Sequence, residues 1–296
     1  MPAQLLVSIV EIGCFFALIA LSYLIVLNGA GFFHFALGPY AMFSALGAAY
    51  LLAVEEWPLW LACMLGVAVA TLLSVLTELL VVRPMEKRAR GEELPSLIAV
   101  VAVMFAVSQL GGWLFGRRPL PGRPWINFHE PIEWGSAVIS GQAVATLRVT
   151  LALFCTLAAW LGWSRYGQWL RAVRENQQAA RTMGFPVARI RLVAFAVGGL
   201  IAGVAGPLFS SKAGVSFESG LSYSLFGFIA LVIRGTGSVW GPLAGGLFLA
   251  ALQIAASICL AQRRSITPHC WQRFCFSPSG PKGSSRAVCA TDKANT

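Results

Sequence analysis

Apolar runs long enough to cross a bilayer limit this chain more than any other feature. The first, LLVSIVEIGCFFALIALSYLIVL, covers residues 5–27. A helix needs about 20 such residues to span ~30 Å of hydrocarbon. Further runs follow at 33–54, 58–82, 95–115, 144–163, 190–210, 221–233 and 239–260. The seventh is short and breaks at RGTGS (234–238). Charged residues make up 11% of the chain, against about a quarter in a soluble domain, and collect between the runs. A helical span satisfies its own backbone hydrogen bonds, whereas a barrel would show alternating segments of about ten residues, which the sequence lacks. The expectation is an all-α polytopic bundle of about eight spans, one of them short or broken.

Several function classes drop out at once. The cysteines Cys14, Cys63 and Cys155 lie inside apolar runs and Cys259 lies near the end of one, with no CxxC or His/Cys ligand spacing. They read as small packing residues, so no metal and no cofactor are expected. There is no GxxxxGK[ST] phosphate loop, no HExxH and no nucleophile elbow, so neither ATP hydrolysis nor other catalysis is expected of this chain. The net charge is +10, and half of it comes from Arg263, Arg264, Arg273, Lys282, Arg286 and Lys293 against Asp292. No nucleic-acid recognition motif accompanies that charge, and membrane proteins are basic through their cytoplasmic loops. The partner is the lipid bilayer, not nucleic acid. The N-terminus lacks a basic n-region and a cleavage site, so the first run is expected to be a retained span.

Lys and Arg also set the orientation. Residues 83–93 carry four and residues 164–191 carry six, whereas 116–137 carry three and the Glu55–Glu56 link carries none. The positive-inside rule puts 83–93 and 164–191 in the cytoplasm and the N-terminus outside. Residues 263–296 would then also lie outside if the last two runs both cross, although they are strongly basic. Either the seventh run is re-entrant, or 263–296 is an irregular addition to a transmembrane domain at 1–262. Two origins stay open for that tail: a disordered extension and a shifted reading frame. Arg148 is expected at an end of the fifth span, where it can reach the interface. Trp57, Trp60, Trp113, Trp160 and Trp163 fall near span ends, as an interfacial belt requires.

The stretch RAVRENQQAARTMGFP (171–186) is polar, yet reads as helix from Leu170 to Met183. Gly184 suits a left-handed cap and Pro186 cannot continue the helix. Arg171 and Glu175, four apart, can pair. Its faces are not strongly amphipathic, which argues against burial in the lipid surface. So short a helix is marginal in water. It must dock, either on the protein's own surface or on a separate soluble subunit. Gly198, Gly199, Gly203 and Gly206, with Ala202 and Ala205 between them, suit close helix packing, with a substrate path as the alternative. Gly235, Gly237, Ser238 and Gly241 surround the break after Arg234, which reads as a plain turn or a gating, re-entrant element. Glu11 and Glu78 lie within apolar runs, and Glu78 is placed to pair with Arg83.

Four stretches together resemble the permease subunits of bacterial branched-chain amino acid ABC importers. GQWLRAVRENQQAARTMGFPVARIRLVAFAVGGLIAGVAGPL (167–208) matches the family's cytoplasmic loop and following span through Gly167, Arg171, Ala172, Asn176, Ala179, Ala180, Gly184, Ala202, Gly203, Ala205 and Gly206. FHFALGPYAMFSALGAAY (33–50), TELLVVRPMEK (77–87) and RGTGSVWGPLAGGL (234–247) resemble three more family segments. The chain departs from the pattern at Arg234, usually Gly, and at Gln253, usually Glu, and the motifs end near Leu252.

The resemblance implies a bacterial inner-membrane protein importing branched-chain or other hydrophobic amino acids. It implies a second permease subunit in a hetero- or homodimer, cytoplasmic ATPase subunits, and an extracytoplasmic substrate-binding protein. It also implies a short helix that couples to the ATPase, carried here onto Arg171, Ala172, Arg174, Glu175, Asn176, Ala179, Ala180 and Gly184. Packing or gating falls to Gly199, Gly203, Gly206, Gly235, Gly237, Ser238 and Gly241. Two other readings are an ion-coupled secondary transporter or channel, using Glu11, Glu78 or Arg148 in a wet path, and a truncated, inactive permease.

Overall fold

The computed structural model of the protein describes residues 2–88, 94–122, 132–134 and 137–274. The chain divides into two compact units, 1–254 and 255–296. The first holds α1 (Pro2–Ala30), α2 (Leu37–Ala53), α3 (Leu59–Thr77), a π-helical turn (Glu78–Val82), α4 (Arg83–Arg88) and α5 (Leu94–Phe115). After a small antiparallel hairpin, Ile132–Trp134 with Ala137–Ile139, come α6 (Gly141–Trp163), α7 (Arg165–Glu175), α8 (Gln177–Thr182), α9 (Val187–Ala213) and α10 (Ser219–Arg234). The last helix, α11 (Gly241–Phe274), begins in the first unit and continues in the second. It runs on through Arg263 and Arg264, so 263–274 is helical where an irregular tail was expected. Residues 275–296 lie outside the described part.

Among the described residues, six helices are long and apolar enough to cross a membrane: Gln4–Ala30, Leu59–Met85, Ile98–Phe115, Gly141–Trp163, Val187–Lys212 and Gly241–Cys259. The other two expected spans are helices of only 17 and 16 residues, Leu37–Ala53 and Ser219–Arg234. At 1.5 Å per residue they reach roughly 25 Å, short of the ~30 Å core. The apolar run at 33–54 overstated its helix because residues 33–36 are not helical.

The two short helices are built alike. At the end of α1, Ala30 is followed by Gly31 at φ +80, a non-helical stretch, and the Phe35-Ala36-Leu37-Gly38 start of α2. At the end of α9, Ala213 is followed by Gly214 at φ +66, a shorter stretch, and Phe217-Glu218-Ser219-Gly220. Only glycine takes such a φ without steric cost. The long helices α1 and α9 lie side by side and antiparallel: Gly29 packs against Ala194, while Glu11 meets Lys212. The short helices then begin head to head inside the bundle. Gly38 lies against Gly220 O and Ser224, and Gly220 lies against Pro39. Ser224 Oγ also donates to Phe35 O at 2.6 Å, which ties α10 to the non-helical stretch before α2.

The core forms around α1 and α9. In its apolar window 83% of α1 is buried. Lipid tails give helices no hydrophobic reason to associate, so close packing and interhelical hydrogen bonds must hold them. Small residues supply both along α9. Gly198 packs on Ser22 and Val26 of α1, Gly199 and Gly203 on Val67, Ala70 and Ser74 of α3, and Gly206 on the Ala41 carbonyl of α2. Ser74 Oγ donates to Phe195 O and Ser44 Oγ to Gly203 O, both at 2.7 Å. These glycines of α9 thus lie in close contact with α1, α2 and α3. Trp60, Trp113 and Trp163 are exposed at helix ends, whereas Trp160 stacks on Tyr166. Arg148 is exposed seven residues inside α6, because that helix starts at Gly141 rather than 144.

A Cβ on Gly206 would overlap Ala41 O, whereas one on Gly237 meets open space. Gly206→Val should therefore cost about 3 kcal/mol or more through forced separation of α9 and α2. Gly237→Ala should be nearly neutral. Thermal unfolding in detergent, with membrane accumulation of each variant, checks the contrast.

Candidate functional site

The polar segment forms two helices, not one. α7 ends at Glu175 and α8 begins at Gln177, because Asn176 leaves helical geometry (φ −156, ψ 103). Its Oδ1 accepts from the backbone N–H of Gln178 (3.0 Å) and Ala179 (2.9 Å), which caps α8. At the other end Gly184 takes φ +83. Gly184 N donates to Arg181 O and Phe185 N to Ala180 O, both at 3.1 Å, a Schellman closure of α8. The expected glycine stop is borne out.

This helix pair docks on its own protein along one face. Gly167, Leu170, Val173 and Ala180 are buried. Rings continue the contact: Trp160 of α6 stacks on Tyr166, Tyr166 meets Trp169 edge-on, and Trp169 meets Phe185. Leu170 also reaches Gly29 at the end of α1. α7 is thus plainly amphipathic, contrary to the expectation for 170–183. The apolar stripe was cut in half by starting that helix at Leu170 instead of Arg165. The spacing allows Arg171 to pair with Glu175, but its Nη2 donates to Leu161 O at 3.0 Å, satisfying a carbonyl at the end of α6. The opposite face carries Gln168, Arg171, Arg174, Glu175, Asn176, Gln178, Arg181 and Met183, all exposed. Ala172 and Ala179 lie at the edge between the faces.

A bond leaves that exposed face toward the rest of the bundle. Arg174 Nη2 donates to Thr236 Oγ1 at 3.1 Å, in the turn between α10 and α11. Gly235 holds φ +79 there, Gly241 N donates to Ser238 O at 3.0 Å, and Trp240 stacks on Phe154 of α6. Gly237 and Gly241 complete this turn. The structure thus brings the predicted coupling residues and the predicted break to one place, while Gly199, Gly203 and Gly206 lie apart in the core.

Beneath the helix pair is a charged cluster. Glu78 is fully buried, and its Oε1 accepts from Arg83 Nε (3.1 Å) and Arg191 Nε (2.9 Å). Arg83 Nη2 also donates to Ala188 O at 3.1 Å. In an α-helix residues five apart point well away from each other; the wider π turn at Glu78–Val82 brings Arg83 round toward Glu78. The cluster joins the loop after α3 to the start of α9, so both basic loops emerge at one end, as the charge count required. The Glu78–Arg83 pairing was expected; Arg191 was not. It was counted as a loop charge, although it is 4% exposed. At the opposite end Glu11 pairs with Lys212, and Ser140 Oγ donates to Glu11 Oε1 at 3.4 Å. Lys212 was missed because α9 continues past residue 210. Among the described residues no three His, Cys, Asp or Glu side chains gather as a metal site would need.

Next to the buried Glu78, His34 Nε2 lies 3.2 Å from Tyr40 OH, which donates to Thr77 Oγ1 at 2.6 Å. This network links the non-helical stretch before α2 to the last turn of α3.

Residues 5–274 match the family described as branched-chain amino acid transport system, permease component. The chain belongs to that family. The match runs past Leu252, where the motifs read from the sequence ended. This permease is 27% identical over 266 residues to the high-affinity branched-chain amino acid transport system permease protein LivH of Escherichia coli, covering 85% of each chain. It is 26% identical over 273 residues to the permease protein BraD of the corresponding system in Pseudomonas aeruginosa, covering 83% of each. A probable ABC transporter permease protein, YphD of Escherichia coli, is 27% identical over 164 residues, 52% of this chain and 47% of that one. No solved structure matches.

Removing one partner of a buried ion pair leaves an uncompensated charge at a cost of about 3–5 kcal/mol. Arg83 still faces Glu78 when Arg191 is removed, so Arg191→Met should cost less than that, about 1–3 kcal/mol, and adding Glu78→Gln should restore part of the loss. Asn176→Ala should cost about 1 kcal/mol, loosening α8 without lowering membrane levels. Thermal unfolding of the single and double variants, with amide exchange across 165–186, reads both effects.

Proposed function

We propose that this chain is the membrane permease subunit of an ATP-driven importer for branched-chain or other hydrophobic amino acids in a bacterial inner membrane. The observation that carries the reading is the exposed face of α7 and α8, on the basic end of a chain whose family match covers 5–274. In this reading α1, α3, α5, α6, α9 and α11 cross the membrane, and the shorter α2 and α10 complete the set of eight spans.

The chain lacks a nucleotide-binding motif, so ATP is consumed by separate cytoplasmic ATPase subunits. They grip the exposed face through Arg171, Arg174, Glu175, Asn176 and Gly184, with Ala172, Ala179 and Ala180 setting how closely the helix pair can be approached. A second permease, identical or related, completes the pathway, and an extracytoplasmic binding protein delivers the substrate. The permease itself performs no catalysis. Movement of the helix pair reaches the spans by three routes: the Arg171 bond to α6, Leu170 against α1, and the Arg174 bond to the Gly235–Gly241 turn. These are direct contacts to elements that repack as bodies, which is what a two-state coupling needs. The ion-coupled alternative is weakened by Glu78, whose charge is already balanced by two arginines.

The test is capture of the ATPase by this permease, co-expressed with its sister permease. Arg174→Ala with Glu175→Ala should lower capture about tenfold, roughly 1.4 kcal/mol, at unchanged membrane levels. Thr236→Val, which removes only the internal bond, should leave capture intact and reduce substrate-stimulated ATP hydrolysis. Full capture by the Arg174→Ala, Glu175→Ala variant at limiting ATPase would sink the coupling role.

A further inference from the structure

At the end of the bundle opposite the basic loops, α1, α6 and α9 converge on one small cavity. Its polar rim is formed by Glu11 of α1, Gln142 and Thr146 of α6, and Lys212 of α9. Its apolar floor is Phe15, Leu18, Leu208 and Phe209, with the rings of Phe15 and Phe209 stacked at 4.1 Å. The volume is about 10 Å³, room for a single water. The structure therefore shows this cavity in a closed form.

The two charges on the rim are not equivalent. Glu11 is 7% exposed, whereas Lys212 is 39% exposed. Ser140 Oγ donates to one oxygen of Glu11 at 3.4 Å, and Lys212 meets the other. A buried carboxylate is costly to leave uncovered, whereas a long side chain ending near the surface can turn its ammonium to water. An incoming group can thus replace Lys212 at Glu11 only if it is itself a cation. If the same molecule also carries an anion, the displaced Lys212 regains a partner. If it carries an apolar side chain, Phe15, Leu18 and Phe209 receive it. One ammonium, one carboxylate and one apolar side chain are the parts of a hydrophobic amino acid. The wall that can yield is α6, which is 33% buried in its apolar window, against 83% for α1 and 61% for α9. Gln142 Nε2 donates to Leu208 O at 2.9 Å, a bond that parts when α6 moves off α9.

We propose that the Glu11–Lys212 pair is an exchangeable receptor for the zwitterion of the transported amino acid. Glu11 takes the ammonium, Lys212 takes the carboxylate, and the side chain lies against Phe15, Leu18 and Phe209. Without substrate the two residues neutralise each other and hold the cavity shut. The proposal rests on the importer reading above and adds the groups of this chain that recognise the substrate at its outer end. Because Glu11 is the more buried partner, the site demands an ammonium more strictly than a carboxylate.

The experiment is calorimetric titration of the purified complex of this permease, its sister permease and the ATPase, without binding protein. The ligands are leucine, 3-methylbutylamine, which lacks the carboxylate, and 4-methylpentanoate, which lacks the ammonium. Leucine should bind most tightly, the amine about tenfold more weakly, and the acid most weakly of the three. Lys212→Met should remove the advantage of leucine over the amine. Glu11→Gln should weaken leucine and the amine and place the acid ahead of both. Arg148→Gln, an exposed arginine on α6, should leave the ranking unchanged. Misfolding lowers all three affinities and cannot reorder them, and the ranking on the unaltered complex decides by itself if a variant does not accumulate. Equal affinity for the three ligands, or an unchanged ranking in Lys212→Met and Glu11→Gln, would overturn the proposal. So would a lack of leucine binding by a complex whose ATP hydrolysis still responds to the loaded binding protein, an outcome that leaves the importer reading standing. Failure of the ATPase to join the complex would overturn both.

Discussion

Backbones touch in the middle of this bundle because α9 carries hydrogen where other helices carry side chains. Gly198, Gly199, Gly203 and Gly206 face three different neighbours, so one helix serves α1, α2 and α3 together. The serines Ser44 and Ser74 use that closeness to bond carbonyls of α9. In a solvent that does not squeeze helices together, such contacts carry the association. The two short helices, α2 and α10, depend on it as well. Their interior ends expose backbone that lipid would not tolerate, and only the packed core around α1 and α9 shields it.

A charged lock sits at each end of α9. At one end Glu78 joins Arg83 and Arg191; at the other Glu11 joins Lys212. The first lock lies under α7 and α8. A partner pulling on that helix pair therefore acts close to the joint that fixes the start of α9 to the end of α3. Arg174 extends the reach to the α10–α11 turn.

Much of this was legible in the sequence, and the reasons separate cleanly. Span positions, the Gly184 stop, the Glu78–Arg83 pair and the shared side of both basic loops depend on residues close in the chain or on simple counts. Asn176 was legible but outweighed: helix propensity was summed across it, although asparagine is among the best caps and a poor interior residue. The stripe of α7 was lost by starting the helix five residues late. Arg191 and Lys212 were not legible, because their partners lie 113 and 201 positions away in number and only the fold brings them together. The two short helices hid behind continuous hydrophobicity. Gly31 before Phe32 was the one local sign that the chain leaves helical geometry there.

Glu78 has a consequence for how the protein is made. The chain is synthesised from its N-terminus, so the segment bearing this carboxylate is delivered to the membrane long before Arg191 exists. During that interval Arg83, five residues behind it, is the cation that accompanies it. The π turn that points Arg83 back at Glu78 therefore acts as a built-in escort for biogenesis. It keeps the charge covered until α9 arrives to bury it, and a variant lacking it would be exposed to quality control at a stage the finished structure no longer reveals.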